Sequence, residues 1–202
     1  VGEGGGIEVD GQGTGIMTES SWVNANRNPG WSRERVEQEL KAMLGLRKII
    51  WLPGIKGRDI TDAHVDFYAR FVRPGVVVAN LDTDPASYDH AVTQQHLAIL
   101  KAATDADGRR LQVHTLSPPL APRDSRFSRN NPDFAAGYIN YFVINGAVIA
   151  PEFGDPQADR AALALLTALY PQRKVMQLEI DAIAAGGGGI HCVTSQLPRH
   201  GR

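Results

Sequence analysis

Residues 137–156 read GYINYFVINGAVIAPEFGDP, and this stretch decides the fold. The apolar run 138–144 predicts a strand. Asn145-Gly146 follows, a pair that tolerates the backbone of a two-residue hairpin turn, and 147–150 returns as a second strand. Asp155 is placed to cap a helix whose first position is Pro156, where the missing N–H costs nothing, and the helix should run to about Tyr170. Residues 174–178 then close the unit as a third strand.

Working outward, the same order of hairpin, helix and strand occurs twice upstream. In the first unit, a short strand over 5–9, the turn Asp10-Gly11-Gln12-Gly13 and a strand over 15–18 form the hairpin. Ser32 should cap the helix, with Val36, Leu40, Met43 and Leu44 forming one apolar stripe and Gly45 ending it. KIIWL (48–52) reads as a buried strand. In the second unit, 64–72 alternates strictly, placing Val65, Phe67, Ala69 and Phe71 on one strand face and His64, Asp66, Tyr68 and Arg70 on the other. Pro74-Gly75 turns the chain into 76–80, a helix covers 89–103, and 111–116 is the closing strand. A Pro- and Arg-rich loop, 117–133, leads to the third unit.

Strands and helices at this period predict an α/β protein of ββαβ units, roughly 1–53, 54–117 and 118–180. The tail 186–196 should begin one more extended segment, a closing strand over 186–198. An open array of three units leaves sheet edges exposed, a hazard that ring closure removes, so more units are expected than the chain contains.

The 202 residues carry 21 Lys+Arg against 22 Asp+Glu and a single Cys. One Cys excludes an internal disulfide. Near-neutral charge argues against a sequence-independent nucleic-acid binder, and no apolar run approaches the roughly 18 residues of a membrane span.

Four features bear on chemistry. Cys192 lies in GGGGIHCVTSQLP (186–198), where the glycines allow a sharp bend. It is either a nucleophile or a small buried apolar residue. His64 and Asp66 share a face if 64–72 is a strand. That pairing suits proton transfer and cation binding, or else a surface His on a half-buried strand. Asp59 and Asp62 lie just upstream, as capping groups, solvated loop residues or carboxylates for a cationic substrate. VNANRNP (23–29) reads most simply as an Asn-rich turn capping the following helix, and otherwise as an amide- and guanidinium-rich loop near a polar substrate. A metal set of His64, Asp66, His191 and Cys192 is disfavoured: His191 and Cys192 are adjacent, and neither C-x-x-C nor H-E-x-x-H occurs. The Gly-rich start lacks the Gly-Lys-Ser/Thr of a phosphate loop and the strand–helix setting of a dinucleotide fingerprint.

Taken in order, EGGGIEVDGQGT, NANRNP, TDAHVD with RFVRPG, GYINYFVINGAVIAPEFGD and GGGGIHCVTSQLP resemble the motifs of the agmatine deiminase / bacterial-type peptidylarginine deiminase family over nearly the whole chain. The resemblance implies a partial five-bladed α/β-propeller (pentein), with this chain its C-terminal portion. It implies hydrolysis of a guanidino substrate, agmatine to N-carbamoylputrescine and ammonia, through a covalent amidino-thioether on Cys192. His64 would be the acid/base, Asp66 would hold the guanidinium, and Asp62, Asp59 and Gly188 would contact substrate. The alternatives are a peptidylarginine deiminase and a non-catalytic remnant that binds a guanidino ligand. The implied protein is cytoplasmic and uses no metal or organic cofactor. Its partners are a small guanidino molecule and either a second copy of the chain or a missing N-terminal half. Family members carry a further guanidinium-binding Asp in an Arg-Asp-x-Gly-Pro motif, which this chain lacks. They also usually carry an acidic residue where Ile60 stands.

Overall fold

The structure is a computed structural model, and it describes residues 1–197. The chain forms two compact units, one spanning Val1–Pro118 and one beginning at Pro119. The first holds two three-stranded sheets and the second holds one.

The first sheet comprises β1 (Glu8–Val9), β2 (Thr14–Thr18) and β3 (Lys48–Leu52), with β1 antiparallel and β3 parallel to β2. The Asp-Gly turn forms as the sequence predicts, with Asp10 Oδ1 accepting from the N–H groups of Gln12 and Thr14 at 2.7 and 2.9 Å. The first strand is shorter than predicted, because Gly4–Gly6 is a 3-10 turn. A parallel neighbour requires a crossover. Helix α1 (Glu19–Trp22) and the longer α2 (Arg33–Leu44) supply it. Ser32 caps α2, accepting from the Arg35 N–H at 3.3 Å, and Gly45 ends it in the left-handed region at φ 66°. The predicted stripe is only half right. Val36 and Leu40 are buried, but Met43 is 79% exposed and Leu44 42%. Leu46 and Ile49, beyond the helix, complete the cluster with Met17 and Trp22 instead.

The second sheet repeats the plan with β4 (Ala69–Arg73), β5 (Val76–Asn80) and β6 (Gln112–Leu116), joined by α3 (His90–Ala102). Val92, His96 and Leu100, four residues apart, give α3 its buried face. The strand expected over 64–72 is corrected: Val65–Phe67 is a 3-10 turn, and pairing starts only at Ala69 opposite Ala79. Asp62 and Ala63, both left-handed at φ 58° and 67°, turn the chain just before His64. The inward residues nevertheless reach the core, where Val65, Ala69 and Phe71 pack with Ile16, Ile50, Leu52 and Val77.

In the second unit, β7 (Phe142–Ile144), β8 (Ala147–Glu152) and β9 (Lys174–Glu179) form the sheet, with α4 (Pro156–Leu169) as crossover. Asp155 caps α4 through the N–H groups of Gln157 and Ala158, both at 3.1 Å, and Pro156 is its first residue. The strand predicted from 138 begins only at Phe142. Tyr138 and Tyr141 are instead pinned, Tyr138 to Asp159 at 2.8 Å and Tyr141 to the Tyr170 hydroxyl at 3.0 Å. The predicted closing strand is absent over its described residues. After α5 (Asp181–Ala184) the chain turns through the glycines into a 3-10 turn, His191–Val193. Pro198, the last residue of that expected strand, lies outside the described residues. Among the described residues no helix is long and apolar enough to cross a membrane.

Candidate active site

The first unit carries a polar cluster built on the loop before His64. Asp59 makes the loop turn: its Oδ1 accepts from the Thr61 N–H and hydroxyl, and its Oδ2 from the Ala63 N–H at 3.1 Å. Thr61 Oγ1 in turn accepts from the His64 N–H at 3.0 Å. Thr18 and Ser20 donate their hydroxyls to the carbonyls of Ala63 and Asp62 at 2.6 and 2.7 Å, tying the left-handed pair to the end of β2. The backbone is thus over-determined at the point where it departs from ordinary φ, and His64 and Asp66 follow directly.

Both side chains are buried, His64 to 6% exposure and Asp66 to 0%. They meet beneath the 3-10 turn of the Gly-rich start. A Cβ added at Gly5 would lie 2.7 Å from His64 Nδ1 and 2.8 Å from Asp66 Oδ2, so only glycine lets the backbone approach this closely. The sequence spacing therefore brings the pair together, though on a turn rather than on a strand face.

Glu3 was not visible as a site residue from the sequence. Its Oε2 lies 3.0 Å from His64 Nε2 and 2.7 Å from Arg27 Nε. Partial burial pushes its carboxyl pKa up, but the hydrogen bonds with His64 and Arg27 outweigh this and leave it below the ordinary value. Arg27 reaches onward to Asp62 Oδ2 at 2.8 Å and to the Thr61 carbonyl at 3.1 Å. Asp62 Oδ2 also accepts from Asn24 at 2.8 Å and Asn26 at 3.3 Å, and Oδ1 from the Gly57 N–H at 2.7 Å. Burial raises the Asp62 pKa, but these donors prevail and hold it below the usual carboxylate range. The NANRNP segment is thus a clamp on the acidic loop, and Ser32 alone of the neighbouring side chains caps α2. Asp59 and Asp62, expected to contact substrate, have carboxylates engaged by donors of the protein itself. The alternation of amide side chains around one Arg was the available signal for this clamp.

The second unit carries Cys192, the only cysteine, whose residue is exposed. It sits within the turn His191–Val193, held by Asn140. Asn140 is fully buried; its Oδ1 accepts from the His191 N–H at 2.8 Å and the Cys192 N–H at 3.4 Å. Its Nδ2 lies 3.3 Å from Cys192 Sγ. Gly188, expected to contact substrate, faces the same residue: a Cβ there would lie 3.4 Å from Cys192 Cβ. Among the described residues, no three His, Cys, Asp or Glu side chains group as a metal site would require.

Three sheets of one plan, each an antiparallel pair joined by a helix to a parallel third strand, define a class: the pentein α/β-propellers. Comparison with known proteins agrees. The model of the Porphyromonas-type peptidyl-arginine deiminase family matches residues 1–198. A Streptomyces coelicolor relative, provisionally assigned as an agmatine deiminase, is 45% identical over 98% of the chain, which covers 58% of that relative. An agmatine deiminase of Medicago truncatula is 40% identical, covering 97% of the chain and 56% of the relative. Among solved structures, the agmatine deiminase of Enterococcus faecalis superposes with a TM-score of 0.89 at 34% identity, covering 97% of this chain and 57% of that one. The chain belongs to the Porphyromonas-type peptidyl-arginine deiminase family and has its pentein fold, of which three ββαβ units are described. It spans a little under three-fifths of the length of these relatives.

Proposed function

We propose that the protein of which this chain is part hydrolyses a guanidino compound, agmatine to N-carbamoylputrescine and ammonia. The buried His64–Asp66 pair with Glu3 on the imidazole carries this reading. A guanidinium carbon is a poor electrophile, so a route through a covalent thiol intermediate divides one hard step into two. In this reading the Cys192 thiolate attacks the guanidinium carbon and a tetrahedral adduct forms. His64 gives a proton to the departing nitrogen, and ammonia leaves with breakage of one C–N bond. His64 then takes a proton from water. The water oxygen bonds to the same carbon, the C–S bond breaks, and the ureido product and the thiolate are released. Asp66 supplies a fixed negative charge for the cation, whose charge-assisted hydrogen bonds are short and directional. Asp59, Asp62 and Gly188 act in this scheme by shaping the backbone around His64 and Cys192.

An exposed free thiol is kept reduced in the cytosol, which supports a cytoplasmic location. Further ββαβ units, from a longer polypeptide or a second copy, would complete the ring. The description of the matching family favours a second substrate, an arginine side chain within a peptide. Ammonia release by the intact protein from agmatine and from a blocked arginine peptide separates the two. Cys192→Ala should abolish release from the true substrate, and full turnover by that variant would refute the proposal.

A further inference from the structure

We infer that Asn140 is the hydrogen-bond donor that stabilises the Cys192 thiolate, an assignment that rests on the proposed role of Cys192 as nucleophile. The side-chain amide is oriented by its surroundings: Oδ1 accepts from the His191 N–H at 2.8 Å, which turns Nδ2 toward the sulfur at 3.3 Å. With the sulfur protonated, the same side chain offers an acceptor, since Sγ lies 3.6 Å from Oδ1. With the sulfur ionised, the shorter contact to Nδ2 becomes a donor to an anion. One amide therefore serves both protonation states, and the stronger bond goes to the charged one.

The glycine run is built around this contact. A Cβ at Gly189 would lie 2.4 Å from Asn140 Oδ1 and 2.7 Å from its Cγ, so the amide occupies the space a side chain would fill. The position of Asn140 explains the late start of the strand predicted over 138–144. Its carbonyl accepts from the His191 N–H at 3.3 Å, directing this residue to the nucleophile turn. Fully buried and held at both ends of its side chain, Asn140 loses little conformational freedom when the thiolate forms, and its dipole is set before any substrate arrives.

The test is the pH dependence of Cys192 alkylation by iodoacetamide in the intact protein, which needs no substrate. A hydrogen bond to a charged group corresponds to about 10- to 100-fold in the ionisation equilibrium, or about one to two pH units. Asn140→Ala should move the alkylation midpoint upward by that amount, with the plateau rate at alkaline pH close to that of the unaltered protein. Asn140→Asp keeps an acceptor for the 191 and 192 N–H groups, removes the donor and adds a like charge. Its midpoint should lie higher still, and it guards against collapse of the turn. If both variants fold and alkylate with the unaltered midpoint, Asn140 serves only the backbone turn and the inference is wrong. Ammonia release is measured separately: its absence in the unaltered protein counts against the deiminase proposal, while the alkylation midpoint still reads the Asn140 contact.

Discussion

At the scale of single residues, Glu3 is the link most exposed to test. Its carboxylate is shared by the His64 imidazole and the Arg27 guanidinium, with Arg27 anchored to Asp62 on its far side. Glu3 and Asp62 both have pKa values below their ordinary ones in the folded protein. A depressed carboxylate contributes stability that is complete above its unfolded pKa and is lost as pH falls through the folded value. This network should therefore persist to below the usual carboxylate range, near pH 4. Glu3→Gln removes the charge that fixes the imidazole, and turnover should fall by about 100-fold or more, with the circular dichroism spectrum unchanged. A variant within a few-fold of the unaltered protein would show that His64 needs no such partner. His64, Asp66 and Cys192 were visible in the sequence because their residue types carry chemistry wherever they sit. Glu3 and Asn140 were not, because a carboxylate or an amide is common everywhere and acquires its role only from the atom it faces; Arg27 was visible only as the guanidinium of the NANRNP segment.

At the scale of elements, α3 and the residue before it carry two ionisable groups with opposing effects, the buried His96 and the half-buried Asp89. Burial drives His96 down to about 4; its Nε2 accepts from the Gly54 N–H at 3.2 Å. Burial also drives Asp89, which precedes the helix, up to about 6, against the hydrogen bond from the Tyr68 hydroxyl at 2.9 Å. Between about pH 4 and 6.5 the unfolded chain binds more protons at His96, so that residue makes stability fall on acidification. Between about pH 4 and 6 the folded chain binds more protons at Asp89, so that residue makes stability rise on acidification. The two slopes largely cancel. Asp89→Asn should expose the His96 slope, with stability falling by on the order of 2 kcal/mol from pH 7 to pH 4, and His96→Gln should reverse it. Urea midpoints across that range measure both; parallel curves for all three proteins would disprove the cancellation. Such groups also mark where sequence periodicity reads well. Val92, His96 and Leu100 follow helical spacing, as the hairpins and caps follow turn chemistry. The misreadings at 64–68 and 138–141 share a cause: side chains on both sides of the backbone are buried there, and tertiary hydrogen bonds hold the backbone in place of strand pairing.

At the scale of the whole molecule, repeated units raise the question of what joins one to the next. In stacked repeats, stability is roughly a sum of the units and of the contacts between neighbours. Between the first two sheets the contact includes an ion pair rather than apolar packing alone. Glu8 of β1 lies 2.7 Å from Arg70 Nε on β4, and its other oxygen accepts from the Phe71 N–H at 2.7 Å. Both side chains are under 10% exposed, beside the apolar cluster that spans the two sheets. Removing one member of a buried pair costs about 3–5 kcal/mol, whereas replacing both by apolar residues of similar volume is often neutral. Here a third group is involved, because the Phe71 N–H loses its acceptor in either case, at about 1–3 kcal/mol. Glu8→Ala should therefore cost the full 3–5 kcal/mol, and Glu8→Leu combined with Arg70→Met should recover only about half of it. Denaturant unfolding of the intact protein decides the matter. Complete recovery would mean that the backbone bond to Phe71 contributes nothing. A double variant as unstable as Glu8→Ala would mean that the junction depends on the geometry of these two side chains and not on their charges.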